Sequence, residues 1–375
     1  MTSQPLVSRF DRLSSYLRAD PDNERLLADA AAAGLDEHRA AEARELLERH
    51  AAGAPLSAEL ENLRGLAALH AGDGAAAAAA LEPLAAAGEG GATVRFNLAV
   101  VKSRTGDFAG AVALIDEELL AEQPGAALLK VRGLHHLGQV EEALAVGRQA
   151  VDRGQSDPEL MAALASLALD SDDPSLAAEY AERAGDAPEG LAAKGTVLLS
   201  EGRLADALPV LRRAVTAGPD NARAAAAYGS ALLAAGDSQA AAGELDRAAQ
   251  GFGDHPGSWI AAGWARLVAG DIAAARTRFE AALACDENFA ESHGALGVAD
   301  VMEGKTEEAR RRLDVAARLD RNCFSAALGR MLLLESEGAH AAAERVKDMA
   351  LATPIGPGGQ TMAEAIAALA AGRRR

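Results

Sequence analysis

The feature that most constrains this chain is a regular period of about 34 residues in its small side chains. Glycines recur at that interval in two columns, alanines in two more, and large apolar residues in a fifth. The columns are Gly195, Gly229, Gly263 and Gly297; Gly202, Gly236, Gly270, Gly304 and Gly338; Ala207, Ala241, Ala275, Ala309 and Ala343; Ala214, Ala248, Ala282, Ala316 and Ala350; and Leu211, Leu245, Phe279 and Leu313. Composition bias alone has no fixed phase. The period therefore indicates repeats that bury their apolar faces against their neighbours.

Each repeat is predicted to contain two helices. In residues 256–289, Trp259, Gly263 and Leu267 have the spacing of one helical face. Gly270 then ends the first helix, because glycine tolerates the left-handed conformation found there. Asp271 is a suitable N-cap for the second helix. The unit is therefore a helix-turn-helix.

The same spacing continues towards the N-terminus with small loop adjustments. It passes through Gly72, Gly106, Gly138 and Asp172. We predict N-terminal helices with a degenerate repeat in 1–55, and about nine repeats in 56–350. A glycine-rich linker, a capping helix and a basic tail are expected in 351–375, because the period breaks at residues 354–361.

Composition excludes several classes of protein. The net charge of −18 argues against nucleic acid or an anionic membrane as the main ligand. The only cysteines, Cys285 and Cys323, lack metal-ligand spacing, which argues against a zinc site or a disulfide framework. No apolar run is long enough for a signal peptide or a membrane span. The expected location is the cytoplasm.

Catalytic signatures are absent from the sequence. The histidines include no HxxxH pair, and no nucleophile elbow, zinc-protease motif or dinucleotide fingerprint occurs. Acidic pairs such as Glu141-Glu142 lie near the start of second helices, where they favour the positive end of the helix dipole. We therefore expect no enzyme activity, no cofactor and no metal.

The repeat resembles the tetratricopeptide repeat (TPR) over residues 56–350. The residues that carry the resemblance are Trp259-x2-Ala262-Gly263, then Gly270, then Ala275-x3-Phe279-x2-Ala282. It implies an all-α, right-handed superhelical solenoid whose first helices line a concave groove. One departure is that the aromatic residue early in the first helix occurs only as Trp259. Its equivalents are Leu191, Ala225 and His293.

In the C-terminal half, the first-helix residues that do not belong to the packing columns are mostly small and apolar. They form a strip along the predicted groove. The residues predicted to bind a partner there are Trp264, Ile260, Val298, Val301, Ser230 and Thr196. Trp264 is the expected anchor, because Trp259 already fills the packing position of its unit and tryptophan is frequent at interface hot spots. The asparagine ladder that some family members use for extended peptides is missing. The strip therefore favours an amphipathic helix.

The N-terminal half is more polar on the corresponding faces. Its candidate contacts for an anion or carboxylate are Asn62, Asn97, Arg104, Arg132 and His136. The alternative is that these are ordinary solvated side chains.

These features favour a non-catalytic scaffold or adaptor that binds a protein or peptide partner in its groove. Two alternatives remain open, a chaperone for secretion or assembly and a regulatory subunit of a separately encoded enzyme. We expect a monomer or weak homodimer.

Overall fold

The computed structural model describes residues 8–352, and these form α-helices without any β-strand. The helices divide into two compact units, one reaching to Ser156 and the other beginning at Asp157. Consecutive helices pair as antiparallel hairpins within each unit. The prediction of an all-α fold built from helix-turn-helix repeats is confirmed.

The first unit contains ten helices in its described part. They are α1 (Arg9–Leu17), α2 (Glu24–Asp36), α3 (Ala40–Ala51), α4 (Ala58–His70), α5 (Gly74–Ala87), α6 (Gly91–Arg104), α7 (Phe108–Ala113), α8 (Glu117–Glu122), α9 (Ala126–His136) and α10 (Val140–Asp152).

The second unit contains twelve helices in its described part, arranged as six hairpins. They are α11 (Pro158–Asp170), α12 (Pro174–Ala184), α13 (Pro188–Ser200), α14 (Leu204–Ala217), α15 (Ala222–Ala235), α16 (Ser238–Phe252), α17 (Pro256–Val268), α18 (Ile272–Cys285), α19 (Ala290–Met302), α20 (Thr306–Leu319), α21 (Phe324–Ser336) and α22 (His340–Ala352). The odd-numbered members are the first helices of their hairpins.

The turn between α17 and α18 follows from two adjacent residues. Gly270 has φ +86°, a conformation that glycine adopts without strain, and the Asp271 side chain accepts a hydrogen bond from Ala274 N at 2.9 Å. Both features are as predicted. Asp172 occupies the glycine position of its own turn and takes φ 55°, which aspartate tolerates better than most residues.

The glycine column inside the first helices has a steric cause. A Cβ atom added to Gly263 would lie 2.3 Å from the ring of Phe279, and one added to Gly229 would lie 2.6 Å from Leu245. Both glycines therefore let the two helices of a hairpin approach until the large residue of the second helix fills the space above the first. The columns read from the sequence are contacts in the fold.

One hairpin departs from the regular pattern. Its second helix is divided into the short helices α7 and α8, and the side chain of Asp116 caps the start of α8 by accepting from Leu119 N at 2.9 Å. Lys130 Nζ donates to the carbonyl oxygen of Ile115 at 2.9 Å, so this backbone acceptor between α7 and α8 has a hydrogen-bond partner. The sequence shows this irregularity only as a shorter glycine interval.

The predicted linker at 354–361, capping helix at 361–371 and basic tail at 373–375 lie outside the described residues.

Candidate protein-binding site

Many small residues of the first helices in the second unit are used in packing. Residues 160–168 of α11 and 294–300 of α19 are buried without interruption. A Cβ atom on Gly294 would lie 2.7 Å from Ala326 N, so the backbones of α19 and α21 touch. Alanine and glycine therefore serve contact between neighbouring first helices as well as contact within hairpins.

This close packing corrects two of the predicted groove residues. Val298 is 1% exposed and Ile260 is 8% exposed, so neither side chain presents a surface to a partner. The small residues of this strip let α21 approach α19, and α21 covers Val298. Thr196 and Ser230 donate their hydroxyls to carbonyl oxygens of their own helices, at 2.9 and 2.8 Å.

Trp264 is partly buried, and its ring meets Phe279 edge-on with 5.6 Å between centroids. The sequence indicated no core role for Trp264, but the structure shows that it packs on the hydrophobic cluster of its hairpin. The reason is Gly263, which brings the Phe279 ring close to α17. The remaining indole surface is accessible. Trp259 is also partly buried and donates its Nε1 hydrogen to Gly253 O at 2.7 Å.

The spacing between first helices varies along the second unit. Helices α11, α13 and α15 pack directly, and Arg223 of α15 forms a bidentate pair with Asp170 of α11 at 2.9 and 3.0 Å. Among the described residues, α15 and α17 scarcely touch, and α17 contacts α19 only slightly. The first-helix face is therefore most open around α17.

Exposed apolar side chains lie at this opening. Val268 is 66% exposed and Met302 is 46% exposed, and they occupy equivalent positions of successive repeats at the ends of α17 and α19. Trp264 lies one turn before Val268 on the same helical face, and Val301 is partly exposed beside Met302. We call Trp264, Val268, Val301 and Met302 the α17/α19 surface.

Charged residues near this surface are engaged with one another. Asp246 of α16 accepts from Arg278 Nε at 2.7 Å and from Arg266 Nε at 3.1 Å. Burial raises the pKa of Asp246, but hydrogen bonds and charge from Arg278 and Arg266 outweigh it and hold the pKa below its usual range. Arg266 is two residues from both Trp264 and Val268, so its side chain leaves α17 on a different side from the α17/α19 surface and binds Asp246.

A second buried carboxylate lies two hairpins later. Asp300 of α19 is paired with Arg276 at 2.7 Å and with Arg312 at 3.0 Å, and its side chain is 3% exposed. These ion pairs join three helices and leave the exposed part of the α17/α19 surface mainly apolar.

The polar residues predicted in the first unit are only partly brought together. Asn97 Nδ2 of α6 donates to Asn62 Oδ1 of α4 at 2.8 Å, so these amides bind each other. Arg104 is exposed at the end of α6, and Arg132 and His136 lie one turn apart on α9. The His136 ring stacks on Phe108 with 4.1 Å between centroids.

In residues 8–352, no group of three or more His, Cys, Asp or Glu side chains is placed to hold a metal ion. In the same part of the chain, no helix is long and apolar enough to cross a membrane.

Comparison with known proteins identifies the repeat. A tetratricopeptide repeat model matches residues 62–127, 96–159 and 192–257. Together with the regular period and the paired helices, these matches show that the chain contains tetratricopeptide repeats in these stretches. No curated protein is significantly similar to it. The repeat supports a role in protein–protein interaction.

Several solved structures are similar to this chain. The APC/C hetero-tetramer Cut9–Hcn1 is 13% identical, with 92% of this chain and 87% of that chain covered and a TM-score of 0.48. MamA 41-end from Desulfovibrio magneticus RS-1 is 18% identical, with 44% of this chain and 95% of that chain covered and a TM-score of 0.38.

Proposed function

We propose that this protein is a non-catalytic scaffold or adaptor that binds one face of a partner helix at the α17/α19 surface. The observation that carries the proposal is the coincidence of an opening between first helices with exposed Val268 and Met302. Large apolar side chains exposed together on a protein surface commonly mark an interaction site.

The chemistry of the surface favours an amphipathic helix over an extended peptide. An extended peptide is bound largely through its backbone polar groups. The column that would supply amides for this reads Ala193, Ala227, Ala261 and Ala295 in the second unit. A helix satisfies its own backbone and needs only an apolar face, with Trp264 as the anchor.

Introducing charge at the two exposed positions tests this proposal. The double variant Val268→Glu/Met302→Glu is expected to weaken partner capture at least about tenfold, because two carboxylates would lose water on binding. Its melting temperature should stay close to that of the wild type, since both side chains are largely exposed. Capture from native lysate, quantified by mass spectrometry, gives the measurement.

Leu137→Glu is the matched control, since Leu137 is 41% exposed but belongs to the first unit. Proteins retained by the wild type and by Leu137→Glu, but lost by the double variant, are the expected partners. Trp264→Ala should weaken capture and also lower stability by about 1–2 kcal/mol, because its ring packs on Phe279. Equal capture by the double variant and the wild type would contradict the proposal.

A further inference from the structure

A second open groove lies between the second helices α18 and α20, next to the start of α19. It has a volume of about 590 Å³, with Leu283, Val315 and Leu319 among its apolar lining and Glu280, Glu287 and His293 among its polar lining. Leu319 is 42% exposed. This groove involves none of the residues of the α17/α19 surface.

The preceding repeat shows what occupies the equivalent position. His293 is the equivalent of Trp259 one repeat later, and its Nε2 atom is 2.9 Å from the carbonyl oxygen of Glu287. Trp259 Nε1 makes the same contact with Gly253, which is the equivalent of Glu287 in the preceding repeat. The Trp259 indole packs against the apolar clusters that include Ala249 of α16 and Phe279 of α18. The Trp259 indole therefore fills a position that, one repeat later, holds the smaller imidazole of His293 beside an open groove.

The charged residues of the groove also differ from their equivalents in the preceding repeat. Asp246 is the equivalent of Glu280, and it is neutralised by Arg266 and Arg278. The equivalents of these two arginines in the next repeat are Asp300 and Arg312, which pair with each other. Position 300 carries an aspartate where the preceding repeat carries Arg266, and this aspartate pairs with Arg312. Neither of the two equivalent positions therefore supplies a cation to neutralise Glu280.

Glu280 and Glu287 form no ion pair with any residue in the described part of the chain. Other acids of the unit are paired, as with Glu303 to Arg276 and Glu337 to Arg310. The second unit is acidic as a whole, with 31 Asp and Glu against 19 Lys and Arg in residues 157–352. An apolar groove bordered by unpaired carboxylates in an acidic unit is complementary to an apolar group that carries positive charge beside it.

We propose that this groove binds a protein segment that presents a tryptophan or similar aromatic side chain next to an arginine or lysine. The partner's ring takes the place that Trp259 occupies in the preceding repeat and packs on Leu283, Val315 and Leu319. Its basic side chain meets the carboxylates of Glu280 and Glu287. The proposal is independent of the α17/α19 surface, so the chain has two separate sites for protein segments.

The test uses full-length protein and a fluorescein-labelled model peptide, an alanine-based helix with one tryptophan and an arginine one turn away. Fluorescence anisotropy should show saturable binding to the wild type. Replacing the peptide's tryptophan by alanine, or its arginine by glutamine, should weaken binding at least about fivefold each. Binding should also weaken as salt increases, because exposed charges are screened.

Two variants locate the binding. His293→Trp is expected to reduce affinity at least about tenfold, since its own indole fills the groove as Trp259 does one repeat earlier. Glu280→Gln/Glu287→Gln should reduce affinity about fivefold and flatten the salt dependence. This surface variant keeps the test valid if His293→Trp does not fold. Asp220→Asn, an exposed acid of the same unit away from the groove, is the control and should bind as the wild type does.

The outcomes separate this proposal from the preceding one. Val268→Glu/Met302→Glu should leave peptide binding unchanged. If that double variant abolishes binding while folded His293→Trp binds normally, the peptide occupies the α17/α19 surface and the groove proposal is wrong. Absence of saturable binding to the wild type would also overturn it, without bearing on partner capture at the α17/α19 surface.

Discussion

Phe279→Ala is expected to destabilise the second unit by about 3–5 kcal/mol. The Phe279 side chain is fully buried, fills the space opposite Gly263 and supports the edge of the Trp264 ring. Truncation removes all these contacts, and the two helices of the hairpin cannot close over the cavity without moving their backbones. Chemical denaturation followed by circular dichroism measures the loss.

Phe279→Leu is the matched control, because the equivalent positions of other repeats carry Leu211, Leu245 and Leu313. Leucine retains most of the buried volume, so the expected cost is about 1–1.5 kcal/mol. A loss below about 1 kcal/mol in Phe279→Ala would mean that Gly263 and Phe279 do not form the close contact described above.

Asp246→Asn is expected to cost about 3 kcal/mol at neutral pH. The Asp246 side chain is 9% exposed and binds two arginines from the following hairpin, so the substitution leaves both guanidinium groups without the carboxylate that pairs with them. Asp314→Asn is the control. Asp314 lies at the equivalent position two repeats later, but its pair with Arg330 is well exposed, and such pairs contribute less than about 1 kcal/mol.

The cost of Asp246→Asn should depend on pH with a definite sign. The pKa of Asp246 is lower in the folded protein than its usual value, because Arg278 and Arg266 outweigh the effect of burial. Its contribution to the free energy of unfolding is therefore complete above the unfolded pKa of about 3.9 and is lost as pH falls towards the folded pKa. The difference between wild type and variant should shrink from pH 7 to pH 3. A constant difference would show that the carboxylate charge is not what stabilises this contact.

The sequence by itself determined the hairpin architecture. A glycine that recurs at one position of every repeat indicates a local structural requirement at that position. The requirements are a left-handed turn at Gly270 and a close helix contact at Gly263. Both act between residues that are near in sequence, so the pattern predicts them directly. The capping role of Asp271 and the absence of strands among the described residues follow in the same way.

Tertiary structure alone decided which residues of the first helices remain exposed. Val298 and Trp264 occupy the same column of the repeat, yet Val298 is buried because Gly294 lets α21 approach α19, whereas α17 has no such close neighbour. The sequence did contain one signal for the exposed pair, since Val268 and Met302 each lie two residues before a turn glycine. Their exposure still depends on the distance between helices of successive hairpins.

The same distinction applies to the charges. The columns of the repeat place Asp246 and Glu280 in equivalent positions. Only the structure shows that Asp300 forms ion pairs with Arg276 and Arg312, and that Glu280 has no ion-pair partner among the described residues. Helical spacing determines contacts within a hairpin. Contacts between hairpins depend on how far each one is displaced from the last, and that displacement is set by the summed volumes of all the side chains packed between them.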